Sequence, residues 1–316
     1  MTVFEAIEKR LMQLGLSSEV LKRYDEPHRF YHTRRHLSEM FAILGPVAEM
    51  DAALFLAAVY HDAVYNPRSA DNEEQSAAYF EKAAGGHLNA GVIEEVCALI
   101  MDTKQHKPHN AKSKKLVEAD LGIFNAGFAR LVEYEHQIFK EYQYTDFTKY
   151  REGRVEVLSH YNQNGRLDTL IEYVKQRRPS IGVFAGSFNP FHRGHYNVLQ
   201  KAEKIFDKVI VAFGKNPEKN ERSWDIPKTI TNRQIESYTG LLTDFISGFG
   251  YEVVVVRGLR NSTDFQYEQN QYRYIQELMP GIKIINIFCD KEFEHISSSG
   301  IRTLEKFDKH KSYLLE

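Results

Sequence analysis

Cysteine is nearly absent: Cys97 and Cys289 are the only two in 316 residues. So sparse and separated a pair offers no disulfide framework, and both read as packed thiols suited to a reducing interior. Charge of one sign is lacking too, with 41 Lys+Arg against 43 Asp+Glu and a formal net charge of −2. That balance gives no general reason to expect nucleic-acid or anionic-membrane binding, which usually leaves a strong basic excess. Long apolar runs are also missing. The longest, Ala52 to Tyr60, falls far short of the roughly 20 residues that a membrane span requires. The start, MTVFEAIEKRLMQLGL, sets Val3, Phe4, Ile7, Leu11 and Leu14 on one helical face, unlike the unbroken core of a signal peptide. A soluble, cytoplasmic protein acting on small molecules is expected, with neither nucleic acid nor membrane as partner. Homo-oligomerisation is left open.

What is present in quantity is apolar residue, 42%, in a chain long enough for two domains of about 100–200 residues each. Histidine is uneven, nine of the 13 preceding residue 179. Up to about residue 176 the apolar positions recur at three and four, as in Val3/Ile7/Leu11 and Leu37/Met40/Phe41/Leu44, which predicts helix throughout. Asp71 with Glu74 predicts a capping box, and Gly85-Gly86 a helix stop. After KQRRPS the pattern turns to short apolar runs at 181–186, 208–213, 251–257 and 283–288, separated by helical spacing. Strands alternating with helices predict a parallel sheet covered on its faces. The expected architecture is an all-α bundle over 1–178 followed by an α/β Rossmann-like domain over 179–316.

In the first part, His61-Asp62 ends the apolar stretch AALFLAAVYHD, YHTRRH (Tyr31 to His36) lies upstream and EADL (Glu118 to Leu121) downstream. Imidazole nitrogens with carboxylate oxygens are the donors a divalent cation needs. An isolated His-Asp doublet is more often a satisfied helix end; the company of the other two segments favours a metal site. The pattern resembles the HD-domain superfamily of metal-dependent phosphohydrolases over residues 24–176. The resemblance implies a divalent transition metal such as Mn, Fe, Co, Ni or Zn, held by His36, His61, Asp62 and Asp120, and hydrolysis of a phosphate ester or anhydride. His36 is preferred over His32 as ligand, His32 then supporting the site or touching phosphate. His106 either meets phosphate or is a surface residue, and Arg29, Arg34, Arg35 and Lys104 are candidate phosphate clamps or solvated charges.

The second part holds GVFAGSFNPFHRGH (Gly182 to His195), a strand, a Gly/Ser turn and a helix start, where backbone N–H groups favour phosphate. His192 and His195 stand one helical turn apart at that start. GxFxPxHxGH is similar to the signature of the HxGH nucleotidylyltransferases, and FDKVIVAFGKNPEK, VVRGLRNSTDFQYE and HISSSGIRTL follow in the order of the phosphopantetheine adenylyltransferases. The resemblance implies ATP with Mg²⁺, 4′-phosphopantetheine as acceptor, and dephospho-coenzyme A and pyrophosphate as products. It implies His195, Lys219 and Arg260 as catalytic residues, and Gly186, Ser187, Phe188, His192, Gly258, Glu268, Ser297, Ser298 and Ser299 as nucleotide contacts. Ser187, Lys219, Leu242 and Arg257 fall on the acceptor side.

The chain departs from that family in three ways. The stretch between Lys219 and Arg257 is short, which predicts four strands instead of five. Ile275 stands where the family has an acceptor-binding Asn, and little chain follows ISSS. Adenylyl transfer is thus better supported than the acceptor. Transfer to another small phosphate, such as nicotinamide mononucleotide, and a non-catalytic nucleotide or coenzyme A sensor are the alternatives.

Overall fold

The computed structural model describes residues 2–215 and 224–315. Two compact units are present: Met1–Tyr142 with Glu156–Tyr173, and Gln143–Val155 with Val174–Glu316. The sequence pattern changes near residue 179; the units in addition place Gln143–Val155 with the second. Among the described residues, no helix is long and apolar enough to cross a membrane.

The chain begins with α1 (Val3–Gln13), α2 (Val20–Arg23), α3 (Arg34–Leu44), α4 (Ala52–Tyr60), α5 (Asn72–Ala84), α6 (Ala90–Gln105), α7 (Ala111–Asp120) and α8 (Phe128–Glu141). It continues through α9 (Phe147–His160) and α10 (Asp168–Gln176), with no strand among the described residues of this stretch. Helix α4 is apolar all round, as a helix enclosed by others must be, and Ala53 to Tyr60 are all buried. The Asp51 carboxylate caps it by accepting from Ala53 and Leu54 N–H, and α3, α6 and α7 pack around it. The expected capping box at α5 does not form. Asp71 spends its carboxylate on the Ser69 hydroxyl and the Gln75 amide, and Glu74 is drawn to Lys104. Gly85 does end that helix.

The second unit continues with β1 (Ile181–Gly186), α11 (Arg193–Ala202), β2 (Lys208–Lys215), β3 (Ile235–Thr239), α12 (Leu242–Ser247), β4 (Val254–Leu259), α13 (Ser262–Leu278), β5 (Ile284–Phe288) and α14 (Ser298–Glu305). The sheet order is β3-β2-β1-β4-β5, with every neighbouring pair parallel. The described residues therefore hold five strands, not four. The unforeseen one, β3, is an edge strand with no fully buried residue, so it needs no continuous apolar run. The central strands bury Val183, Phe184, Ile210, Val211, Val255 and Val256, covered on both faces. Strand order reverses between β1 and β4, which opens a crevice at their carboxyl ends.

Gln143–Val155 is tied to this unit by a buried lysine. Lys208, the first residue of β2, donates its ammonium protons to Gln143 O and to Thr145 O, the latter at 2.9 Å. Tyr251 Oη donates to Asp146 Oδ2 at 2.7 Å, and Gln234 N to Gln143 O at 3.0 Å. Burial pushes the Lys208 ammonium down to about 7, against the opposing pull of Asp146 and Glu236.

Candidate functional sites

In the helical unit three helices bring four groups to one point. His36 lies in the first turn of α3, His61 caps the end of α4 with Asp62 beside it, and Asp120 is the last residue of α7. His36 Nε2 stands 3.3 Å from His61 Nε2 and 3.2 Å from Asp120 Oδ1; His61 Nε2 stands 3.1 Å from Asp62 Oδ2. One donor atom each from His36, His61 and Asp62 lies within 4.8 Å of the others. Two imidazoles and two carboxylates so converged suit a divalent cation. The tautomer of His61 suits it too. Its Nδ1–H donates to Ala58 O at 3.0 Å, which leaves Nε2 for the cluster. Burial depresses the His61 imidazolium, but the Asp62 carboxylate outweighs it and raises the ring to about 9. Burial likewise works against ionised Asp120, yet hydrogen bonds from His106 and His36 hold it well below the usual carboxylate range.

His32 lies outside this cluster. Its Nδ1 is 2.7 Å from Glu141 Oε2, and its ring stacks on Tyr65 at 4.2 Å. Glu141, at the end of α8, also accepts from the backbone N–H groups of Phe30, Tyr31 and His32 at 2.7, 2.7 and 3.0 Å and from Tyr65 Oη at 2.8 Å. Burial opposes its ionisation, but His32 and these donors hold it down at about 2. Sequence reasoning missed Glu141, because a lone glutamate at a helix end carries no local signal of partners so distant in the chain.

His106 terminates α6, with Nε2 3.1 Å from Asp120 Oδ2. The four candidate phosphate clamps all have protein partners. Arg29 is buried and donates to Asp62 O and Ala63 O, at 2.7 and 3.2 Å; Arg34 grips Asp25, Arg35 grips Glu39 and Glu133, and Lys104 meets Glu74. Arg29 thus fixes the backbone that carries Asp62.

In the second unit the crevice beside β1 and β4 encloses about 590 Å³. The end of β1 contributes Gly186, Ser187 and Phe188. Gly186 is required there, since a Cβ would stand 2.7 Å from the Phe188 ring. His192 and His195 enter from the start of α11, their rings stacked with centroids 3.6 Å apart. Each Nδ1 accepts from the other residue's backbone, His195 N to His192 at 3.4 Å and His192 N to His195 at 3.3 Å. A neutral ring accepting at Nδ1 carries its hydrogen on Nε2, so both present an N–H donor. Burial, helped by Arg260, lowers His192 to about 4; burial with His192 and Arg260 holds His195 well below its ordinary value.

The end of β4 lines the crevice with Arg257 and Gly258, Arg260 follows it, and α13 adds Glu268. Arg260 pairs with Asp264 at 2.8 Å. The start of α14 supplies Ser297, Ser298 and Ser299. Ser297 caps that helix by accepting from Gly300 N at 3.1 Å, and Ser298 Oγ donates to Pro190 O at 3.0 Å. Leu242 opens α12 and is not among the crevice residues, nor is Ile275 on α13. Lys219 lies outside the described residues. Asp264, Cys289 and Arg302 also line the crevice and were not foreseen; the i,i+4 spacing of Arg260 and Asp264 was the one available signal.

Comparison with known proteins bears on this crevice. A cytidylyltransferase-like family profile matches residues 183–304. The phosphopantetheine adenylyltransferase of Cytophaga hutchinsonii is 34% identical over 137 residues, 40% of this chain and 91% of the relative. Those of Mycoplasma capricolum subsp. capricolum and Streptococcus pneumoniae are 34% and 35% identical over 138 and 137 residues, spanning 99% and 84% of those proteins. Through the part that holds this crevice, the chain belongs to the family of the phosphopantetheine adenylyltransferases.

Proposed function

We propose that the second unit transfers an adenylyl group from ATP to 4′-phosphopantetheine, releasing pyrophosphate and forming dephospho-coenzyme A. The observation that carries this is the meeting of His192, His195, Arg257, Arg260 and Ser297–Ser299 in one crevice at the switch point of the sheet. A phosphate oxygen of the acceptor attacks the α-phosphorus of ATP in line, the bond to the β-phosphate oxygen breaks, and no protein nucleophile is needed. The chain's contribution is orientation and charge stabilisation. The N–H donors of His192 and His195 serve phosphate oxygens, with Arg260 beside them. Ser297–Ser299 and the α14 N-terminus suit the outer phosphates. Arg257 and Ser187, both in the crevice lining, are assigned to the acceptor side, and the family resemblance adds Lys219 and Leu242 to that assignment. Mg²⁺ bound with ATP would supply charge neutralisation of the triphosphate, beside the donors of His192, His195 and Arg260.

Pyrophosphate release from ATP and Mg²⁺ with phosphopantetheine or nicotinamide mononucleotide tests the acceptor. Turnover with the second alone rejects the assignment. His195→Ala should lower turnover about 10²- to 10³-fold while ATP still binds. No turnover with any acceptor in the wild type, despite ATP binding, would instead favour a nucleotide sensor.

For the helical unit we infer an HD-type metal-dependent phosphohydrolase, supported by the convergence of His36, His61, Asp62 and Asp120. A divalent cation held by His36, His61, Asp62 and Asp120 would supply Lewis acidity toward a phosphoryl oxygen and lower the pKa of a bound water. His61 is oriented by Ala58 O, Asp62 by the Arg29-bound backbone, and His32 by Glu141. Metal analysis of wild type against Asp62→Ala is the test; equal metal content sinks the site.

A further inference from the structure

We propose that Tyr161 and His106 are positioning residues that orient Asp120 toward the cation of the helical unit, an inference that rests on the metal-centre reading above. His106 holds the C-cap of α6 at φ 52°. Glycine or asparagine usually ends a helix in this left-handed conformation, and other residues are strained there. Capping alone gives no reason for an imidazole. The ring, however, is engaged on both nitrogens: Nε2 lies 3.1 Å from Asp120 Oδ2, and Nδ1 lies 2.8 Å from Tyr161 Oη.

An ionised carboxylate only accepts, so His106 Nε2–H donates to Asp120 and the Tyr161 hydroxyl takes up the opposite nitrogen. Tyr161 is itself held, stacked on Phe124 at 5.2 Å and set edge-on to His106 at 5.5 Å. This chain commits Oδ2 of Asp120 and turns Oδ1 toward His36 Nε2 at 3.2 Å and His61 Nε2 at 3.7 Å. Rotation about the terminal torsion of an aspartate is otherwise soft and nearly two-fold. The tether makes one oxygen the donor in advance of the cation.

The test uses the full-length protein stripped by chelator, with Mn²⁺ binding followed by titration calorimetry and metal-free stability followed by thermal unfolding. Tyr161→Phe, which removes one hydroxyl, should weaken Mn²⁺ about tenfold or more and leave the metal-free melting temperature unchanged. His106→Gly relieves the backbone, so it should hold or raise that temperature while weakening Mn²⁺ at least as much. Wild-type Mn²⁺ affinity in both variants, with binding abolished in Asp120→Ala, overturns the positioning role. So does a loss of affinity matched in both by lost metal-free stability. If Asp120→Ala and His61→Ala bind Mn²⁺ like wild type, the metal-centre reading itself fails, and the inference with it.

Discussion

Arg257 and Glu268 grip each other through two hydrogen bonds, Nε to Oε2 at 2.7 Å and Nη2 to Oε1 at 2.6 Å, while Arg257 Nη1 donates to Ala185 O at 2.9 Å. The guanidinium is thereby fixed between the carboxyl ends of β1 and β4. Lysine is a point charge and cannot keep this fork. Arg257→Lys should raise the KM for the acceptor about tenfold, a loss of about 1.4 kcal/mol, with the KM for ATP nearly unchanged. Pyrophosphate release at saturating ATP measures it, and equal rises in both constants would remove Arg257 from the acceptor side.

The acid stability of the second unit should carry the mark of His192. Its folded-state value, about 4, lies below the unfolded value of 6.5. Between those values the unfolded chain binds the extra proton, so stability falls as pH drops from 6.5 to 4, by about 3 kcal/mol for this group. His192→Asn should flatten that part of the curve, as read by denaturant unfolding at stepped pH.

A fragment beginning at Ser180 should be unstable, although it holds the whole sheet. It lacks Gln143 and Thr145, whose carbonyls accept from the buried Lys208 ammonium. Each hydrogen bond lost to a charged group costs roughly 1.5–3 kcal/mol. Thermal unfolding of 180–316 against 143–316 tests this, and Lys208→Met should recover part of the loss in the shorter fragment only.

Glu141→Gln should destabilise the helical unit by about 2–4 kcal/mol, because the amide has one acceptor atom where five donors converge on two. Chemical denaturation measures it. Glu141→Asp, which keeps the charge but shortens the reach, should recover only part of the stability.

Local signals in the sequence carried much of this. The three-and-four spacing marked helices such as α1 because one face, with Ile7 and Leu11, is buried while the other meets water, and the HxGH turn declared its place because a strand, a small-residue turn and a helix start are all local. His36, His61, Asp62 and Asp120 were legible as a set only through the resemblance to the HD-domain pattern, in which a histidine, a His-Asp doublet and an aspartate follow on successive helices. The β3 strand was not legible, since an edge strand escapes the demand for apolar residues on both faces.

Sequence by itself determined a helical part, a parallel α/β part, and which residue types are available to metal and phosphate. Only the tertiary structure decided their partners: Glu141 on the His32 loop, Tyr161 on His106, Glu268 on Arg257, and Gln143–Val155 on Lys208. Periodicity and capping act within a few residues, so they are written in the sequence as patterns. A buried charge or donor must be satisfied by whatever group packing brings near, and the spacing of residues along the chain does not name that group.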